Sequence, residues 1–380
     1  MLNRIIRILG ATLCSALLLA GCCKKLHDPA RKSDGSISFS AGSSLLLDDA
    51  LKTTKTSLDE RTVFDQPSTD CFFVWGAKTV SAVRHTVFTG QQIILQSVGA
   101  NALIAADDTW DYTDHRFWDS NASQYDFVAL SGIPSTSNVT CNPAASGHVK
   151  AYVTYEPTTA QYDILGAGGQ RVAPGGGTIS TDKVHLQFSH ILSAVRVVVY
   201  NDSPSIDIAL NAYGFRNFCT RATGMVEQSG NGLAGMGTEN WSNPSYNSSL
   251  VLGSGTLSPA ITLNQGLREC YPAAGNQNSS WDLMIPQDLT PFGAYVPQLL
   301  IDYEYDQENP RTGQMEHYNP TAILPLKDIK VKGSETFITK WLPGKKYVYE
   351  VHIRLGGGIH VNVSVTDWQN VPAETPGITI

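Results

Sequence analysis

The strongest constraint on the fold of this chain is a period of two. Tyr347, Tyr349, Val351, Ile353 and Leu355 alternate with Val348, Glu350, His352 and Arg354. Successive side chains of an extended strand point to opposite faces, so this alternation puts one set on a core and the other toward solvent. Gly356-Gly357-Gly358 follows, free to take the positive φ angles of a tight reversal. Beyond it Ile359, Val361, Val363 and Val365 alternate with His360, Asn362 and Ser364. The pattern predicts a β-hairpin.

The same rhythm recurs in short pieces. It is present at Ile37-Ser38-Phe39, Cys71-Phe72-Phe73-Val74-Trp75 and Gln92-Ile93-Ile94-Leu95, and it puts Val149, Ala151, Val153 and Tyr155 on one face. Helical periodicity is nearly absent, and the best candidate, Leu45 to Leu51, reads as a short turn. Many short strands separated by Gly, Pro, Asn and Ser turns predict an all-β sandwich architecture. At 380 residues the chain is long enough for more than one domain. The Gly/Pro-rich stretch Gly166–Gly177 is the natural seam, dividing residues 37–178 from 179–380. Within it Gly166-Ala167-Gly168-Gly169 and Gly175-Gly176-Gly177 read as linker. Neither is a phosphate loop, since no Lys-Ser/Thr follows and no βαβ unit surrounds it. One segment breaks the alternation: Leu186, Phe188, Leu192 and Val198 share a parity, and Val195, Val197 and Val199 take the other. Either a bulge near Ile191–Ser193 exchanges the faces, or a strand here is buried on both.

The N-terminus has a different character. Arg4 and Arg7 precede an apolar run from Ile8 to Ala20, and Leu19-Ala20-Gly21-Cys22 closes it. The run falls short of the about 20 apolar residues of a spanning helix but suits the h-region of a signal peptide. Leu-Ala-Gly-Cys resembles the bacterial lipobox. It predicts that residues 1–21 are a signal peptide cut between Gly21 and Cys22, and that the Cys22 thiolate takes a lipid. Such a chain is anchored to a membrane rather than spanning it. Residues 22–36, polar and broken by Pro and Gly, read as a flexible tether.

Charged residues make up 16 % of the chain, below the roughly 25 % of a typical soluble domain. A net charge of −7 removes the general electrostatic reason to expect nucleic acid. Apart from Cys14 and Cys22, the cysteines are Cys23, Cys71, Cys141, Cys219 and Cys270, with no C-x-x-C pair and no zinc spacing. Most read as buried structural thiols, with room for one disulfide in an oxidising compartment. The acidic run Asp107, Asp108, Asp111 and Asp114 lacks the glycine and closing glutamate of an EF-hand loop and reads as a solvated loop. His190, inside an apolar strand, reads as a hydrogen-bonded core histidine. No H-x-x-x-H pair and no G-x-S-x-G elbow is present. The chain therefore reads as non-enzymatic, with no metal site and no cofactor. Trp110, Tyr112, Trp118 and Tyr125 either stack sugars at the surface or fill a core; aromatics usually bury large areas, which favours the core.

An ordered set of short segments carries a resemblance. After the lipobox come Ile37-Ser38-Phe39-Ser40, Lys52-Thr53-Thr54-Lys55-Thr56, Phe73-Val74-Trp75-Gly76, Trp110-Asp111-Tyr112, Arg116-Phe117-Trp118 and Tyr125–Leu130. Tyr162–Ala167 and Leu186–Ser193 follow, then Met284-Ile285-Pro286-Gln287, Trp341–Tyr349 and Val365-Thr366-Asp367-Trp368. In this order they resemble the fimbrillin family, the Mfa-like type V pilin lipoproteins of Bacteroidales. The resemblance implies two transthyretin-like β-sandwich domains in tandem and a lipidated precursor at the outer membrane and cell surface. It further implies a structural or adhesive fimbrial subunit, assembled when a trypsin-like protease cuts beyond the first strand and a strand of the next subunit replaces it. Carried onto this sequence, the displaced strand includes Ile37 and Phe39, and the cut falls at Lys52, Lys55 or Arg61. The partners implied are other pilin subunits, the outer membrane through the lipid, and a glycan or protein on a host or bacterial surface. After Trp368, Pro372 and Pro376 remove donors that a donated strand needs. That points to a tip or accessory subunit rather than a stalk. The alternative is a surface lipoprotein that binds glycan or host protein without polymerising.

Overall fold

The computed structural model describes residues 35–43, 68–97, 108–175, 177–203, 206–247, 261–263, 268–271, 281–290, 293, 295–354 and 358–368. The proposed signal peptide, nearly all of the tether, the Leu45–Leu51 turn and the segment beyond Trp368 lie outside these. Contacts divide the chain into Met1–Ser36 and Ile37–Ile380, and the fold described is that of the second unit.

The regular elements among the described residues are strands and three single-turn 3-10 helices. In chain order the first strands are β1 (Phe39–Ser43), β2 (Cys71–Val80), β3 (Val83–Ser97), β4 (Thr109–Asp111), β5 (Ala122–Ser131), β6 (Val139–Cys141), β7 (Lys150–Tyr155), β8 (Leu165–Val172) and β9 (Val184–His190). Next come β10 (Ser193–Asn201), β11 (Ile208–Arg216), β12 (Phe218–Ser229), β13 (Gly232–Leu233), β14 (Trp241–Asn247), β15 (Ile261–Leu263), β16 (Arg268–Tyr271) and β17 (Asp282–Met284). The last are β18 (Gln287–Asp288), β19 (Gln298–Glu308), β20 (Met315–Tyr318), β21 (Thr321–Pro325), β22 (Lys330–Val331), β23 (Lys340–Trp341), β24 (Lys345–Arg354) and β25 (Gly358–Asp367).

Seven strands form the first sheet in the order β1-β9-β8-β5-β2-β3-β4. Its shape follows from two distances. Phe39 on β1 and Phe88 on β3 are five strands apart, about 24 Å in a flat sheet at about 4.8 Å per strand, yet their ring centroids are 5.6 Å apart. Phe72 on β2 and Phe188 on β9, three strands apart, meet at 5.3 Å. The sheet therefore curls until its inner face closes on one core, to which all seven strands contribute.

A second core lies between two further sheets. One is β16-β10-β24-β25-β22, with β17 also on β10; the other is β15-β11-β19-β20, with β21 also on β19. Val195, Val197 and Val199 of β10 face Phe215, Leu299 and Ile301 across it, with Trp341 and Tyr349 filling the centre. The predicted C-terminal hairpin is here: β24 and β25 pair antiparallel down to Arg354 opposite Gly358, and Gly358 takes φ +85°. The Trp341–Tyr349 segment closes on itself. The Trp341 indole N–H donates to the Tyr349 hydroxyl at 2.9 Å, and the Leu342 N–H donates to the Tyr347 hydroxyl at 2.7 Å. Burial pushes the Tyr347 phenol up to about 12, so both rings serve as neutral core residues with a polar tip.

A fourth sheet, β13-β12-β7-β6 with β14 on β12, draws strands from both halves of the sequence. Val149, Ala151, Val153 and Tyr155 are buried on one face, as their alternation predicts. They pack with Val226, Ile191, Leu192 and Ile285.

Two sequence expectations are corrected. The 186–200 segment is two strands in different sheets, and the chain changes sheet at Ile191–Leu192. The parity exchange is this change of core rather than a bulge. The both-faces reading holds for the second piece, where Val197, Val198 and Val199 are each 0 % exposed. Second, Gly166-Ala167-Gly168-Gly169 is not a linker but the middle of β8, paired to β5. A Cβ on Gly168 would stand 1.9 Å from the Gly232 carbonyl oxygen. Gly168 is bare so that the backbone at the start of β13 can lie against the strand, the other use of glycine inside a sheet.

Candidate functional site

The seat of β1 is where the sequence expectations converge. β1 ends the first sheet; its strand partner among the described residues is β9, in parallel register from Phe39 opposite Val184 to Ser43 opposite Phe188. The alternation read from the sequence holds. Ile37, Phe39 and Ala41 point inward and are 0 %, 1 % and 1 % exposed.

Phe39 stands among four rings. Its centroid lies 6.3 Å from Phe72, 5.6 Å from Phe88, 6.3 Å from Tyr112 and 5.6 Å from Phe127. Three of these contacts are edge-to-face, the arrangement that the ring quadrupoles favour. The start of the strand is tied by hydrogen bonds. The Ile37 N–H donates to the Arg116 carbonyl at 2.7 Å, and the Val184 N–H donates to the Ser38 carbonyl at 2.8 Å. The Tyr112 hydroxyl donates to the Ile37 carbonyl at 2.7 Å and accepts from the Arg116 N–H at 3.2 Å. On the outward face Ser40 Oγ meets His185 Nδ1 at 2.9 Å. Burial first, and then the Arg171 guanidinium, hold the His185 imidazole below the ordinary histidine value.

β1 is thus held by inserted side chains and a single ladder of backbone bonds, and no strand covers its other edge among the described residues. Removing it would open a trough floored by Phe72, Phe88, Phe127 and Phe188, beside the unpaired edge of β9. Such an edge pairs with any strand whose alternate side chains fill the trough.

Of the residues predicted for this site, the structure places Ile37 and Phe39 in one core. Lys52, Lys55 and Arg61 fall between Ser43 and Ser68, outside the described residues, as do Gly21 and Cys22. Sequence reasoning missed Tyr112 as the clasp on Ile37. It was legible only as part of an aromatic cluster, because the contact exists only once the sheet has curled. That cluster is core: Trp110, Tyr112 and Tyr125 are 8 %, 9 % and 0 % exposed, and half-buried Trp118 packs edge-on to Tyr125 at 4.8 Å.

Within the acidic run Asp111 is engaged by the protein's own groups. Asp111 Oδ1 accepts from the Tyr112 N–H and meets His115 Nε2, each at 2.8 Å. Among the described residues no three His, Cys, Asp or Glu side chains gather as metal ligands would. Cys71, Cys141 and Cys219 are free thiols. Burial pushes Cys141 up to about 12 and Cys219 to about 11, which keeps both protonated and unreactive.

A profile of the family described as Fimbrillin-like matches residues 72–368. Similar solved structures include a fimbrilin (FimA) from Porphyromonas gingivalis W83, 11 % identical, covering 89 % of this chain and 98 % of that one at a TM-score of 0.35. The fimbrial anchor protein Mfa2 from Porphyromonas gingivalis is 9 % identical, covering 88 % of this chain and 97 % of that one at a TM-score of 0.32. No curated protein matches the sequence.

Proposed function

The chain belongs to the fimbrillin-like family, and on that premise we propose that it is a fimbrial subunit whose first strand is a removable plug. Membership carries an adhesive, fimbria-associated role at the cell surface. The chain is exported as a precursor, cut between Gly21 and Cys22, and tethered to the outer membrane by a lipid on Cys22. A protease then cuts at Lys52, Lys55 or Arg61, in the segment that joins β1 to β2. The released piece carries Ile37 and Phe39 away, and a strand of a neighbouring subunit enters beside β9. Pro372 and Pro376, beyond Trp368, leave that segment poor in backbone donors, which favours a tip or accessory position.

The observation that carries this reading is the pairing of full burial with a terminal position. Phe39 is 1 % exposed, yet its strand is bonded to the sheet along one edge. A strand so placed can leave without breaking any other pair of strands, and its departure uncovers an apolar trough that favours refilling.

The test is the N-terminal sequence and intact mass of the protein taken from the cell surface. A start at Thr53, Thr56 or Thr62 in multimeric material is expected. Surface protein that begins at a lipidated Cys22 and stays monomeric would overturn the reading and favour a stand-alone binding lipoprotein.

A further inference from the structure

Along the end of β9, from Gln187, the register partner of Gly42 on β1, the surface opens into a cleft of about 570 Å³, within the 300–1,000 Å³ range of small-molecule sites. One wall is β9 itself. Leu186 and Phe188 face the core, so Gln187 and Ser189 point the other way and line the cleft, and His190, the last residue of β9, joins them at its end. Neither the Gln187 amide nor the Ser189 hydroxyl has a hydrogen-bond partner among the described residues. His190 is held in place: its Nδ1 lies 3.0 Å from Asp163 Oδ1, and its ring stacks on Trp368 at 4.0 Å with the planes 4° apart. Among the described residues the hydrogen bond and ion pair of the ring are both made by Nδ1.

The opposite wall is the Pro343–Lys345 turn, and it is fixed at three points. The Gly344 N–H donates to the Leu192 carbonyl at 2.8 Å, and the Trp368 N–H donates to the Gly344 carbonyl at 2.9 Å. The Ser193 hydroxyl donates to the Leu342 carbonyl at 2.9 Å. Lys345 and Asp367 form an ion pair at the rim. Leu233 and Met236, from the chain after β12, supply an apolar side.

These groups favour one class of ligand. Both carboxylates beside the cleft are engaged by the protein's own groups, Asp367 by Lys345 and Asp163 by His190, so no charged side chain is presented bare to a ligand. The amide and the hydroxyl both donate and accept, as vicinal hydroxyls require, and the imidazole nitrogen adds one further donor or acceptor according to its tautomer. The Leu233, Met236 and Pro343 side suits the C–H face of a pyranose ring. Walls held by backbone hydrogen bonds lose little freedom on binding. We propose that this cleft binds a neutral oligosaccharide and is a point of adhesion for the subunit. The proposal rests on the adhesive role of the family and is independent of whether β1 is released.

The test applies the full exported chain to an array of neutral and sialylated oligosaccharides, beside Gln187→Ala, Ser189→Ala and Met236→Trp, each first checked for an unchanged melting temperature. Retention of neutral oligosaccharides is expected, falling at least tenfold in Gln187→Ala and Ser189→Ala and lost when the Met236→Trp indole fills the cleft. Trypsin-triggered multimerisation, measured in parallel in Ser189→Ala and Met236→Trp, is expected to stay as in the parent protein. The proposal is overturned if no neutral oligosaccharide is retained, if only sialylated ones are, or if the variants bind as the parent does. It is also overturned if the variants lose multimerisation and keep binding, since the cleft would then seat a segment of chain.

Discussion

Truncating Phe39 to alanine isolates the seat of β1. The phenyl ring is 1 % exposed and touches four aromatic rings, three on β2, β3 and β5 and one just after β4, all of which remain in the fold. Deleting a buried phenylalanine costs about 3–5 kcal/mol, transfer and cavity together, and rigid rings cannot collapse far into the void. What distinguishes this site is where the cost falls. β1 is bonded along one edge, so it detaches more cheaply than the whole sheet unfolds, and the loss concentrates in that local opening. At 1.4 kcal/mol per decade, 3 kcal/mol raises the population of the open form by roughly 100-fold. Hydrogen exchange resolved by segment reads this directly. The amides of residues 39–43 and the facing residues 184–188 are expected to exchange roughly 100-fold faster in Phe39→Ala, while those of β24 and β25 change little. Equal loss of protection in β24 and β25 would refute the reasoning, because β1 would then be integral to global stability and not a separable plug.

Other consequences follow from single groups. Burial pushes the Asp282 carboxyl up to about 6, above its unfolded value, so the folded state holds the extra proton and stability falls as pH rises between about 4 and 6. Asp282→Asn removes this cost. By denaturant titration it should be more stable than the parent by about 2–3 kcal/mol at pH 7.5 and equal to it near pH 4; an offset unchanged with pH would contradict the assignment. Gly168→Ala forces backbone apart at the Gly232 carbonyl and should lower stability by about 1–3 kcal/mol. Gly235→Ala, with nothing within 4 Å of the added Cβ, should be near neutral in the same melting assay. Tyr349→Phe keeps the ring but strips the Trp341 indole of its acceptor, and a loss of about 1–3 kcal/mol is expected on chemical unfolding.

What was legible in the sequence was local. The hairpin from Tyr347 to Val365 follows from alternation and a glycine reversal, and the burial of Ile37 and Phe39 follows from their parity. The partner of β1 was not legible. Phe39 pairs with Val184, a contact between distant segments that no window of sequence contains, and the ring cage around it exists only because the first sheet curls. Gly168 misled because glycine marks both a loose linker and a strand that another backbone touches; the two differ only in what lies opposite. Ile191–Leu192 looked like a defect in one strand because a chain that changes sheets and a chain that bulges leave the same parity exchange. The cleft was hidden for the same non-local reason, since Gln187 and Lys345 meet only through the packing of β9 against the turn before β24.

The central claim is that β1 leaves its seat for subunits to assemble, and a covalent lock tests it most directly. Ser40 and His185 are register partners whose side chains already touch at 2.9 Å, and paired strand residues lie within the about 4.4–6.8 Å Cα separation that a disulfide spans. The Ser40→Cys/His185→Cys protein, cut by trypsin between β1 and β2, should stay monomeric while oxidised and form multimers once a reductant opens the bond. Multimers of equal yield with the bond intact would show that assembly does not need the seat of β1.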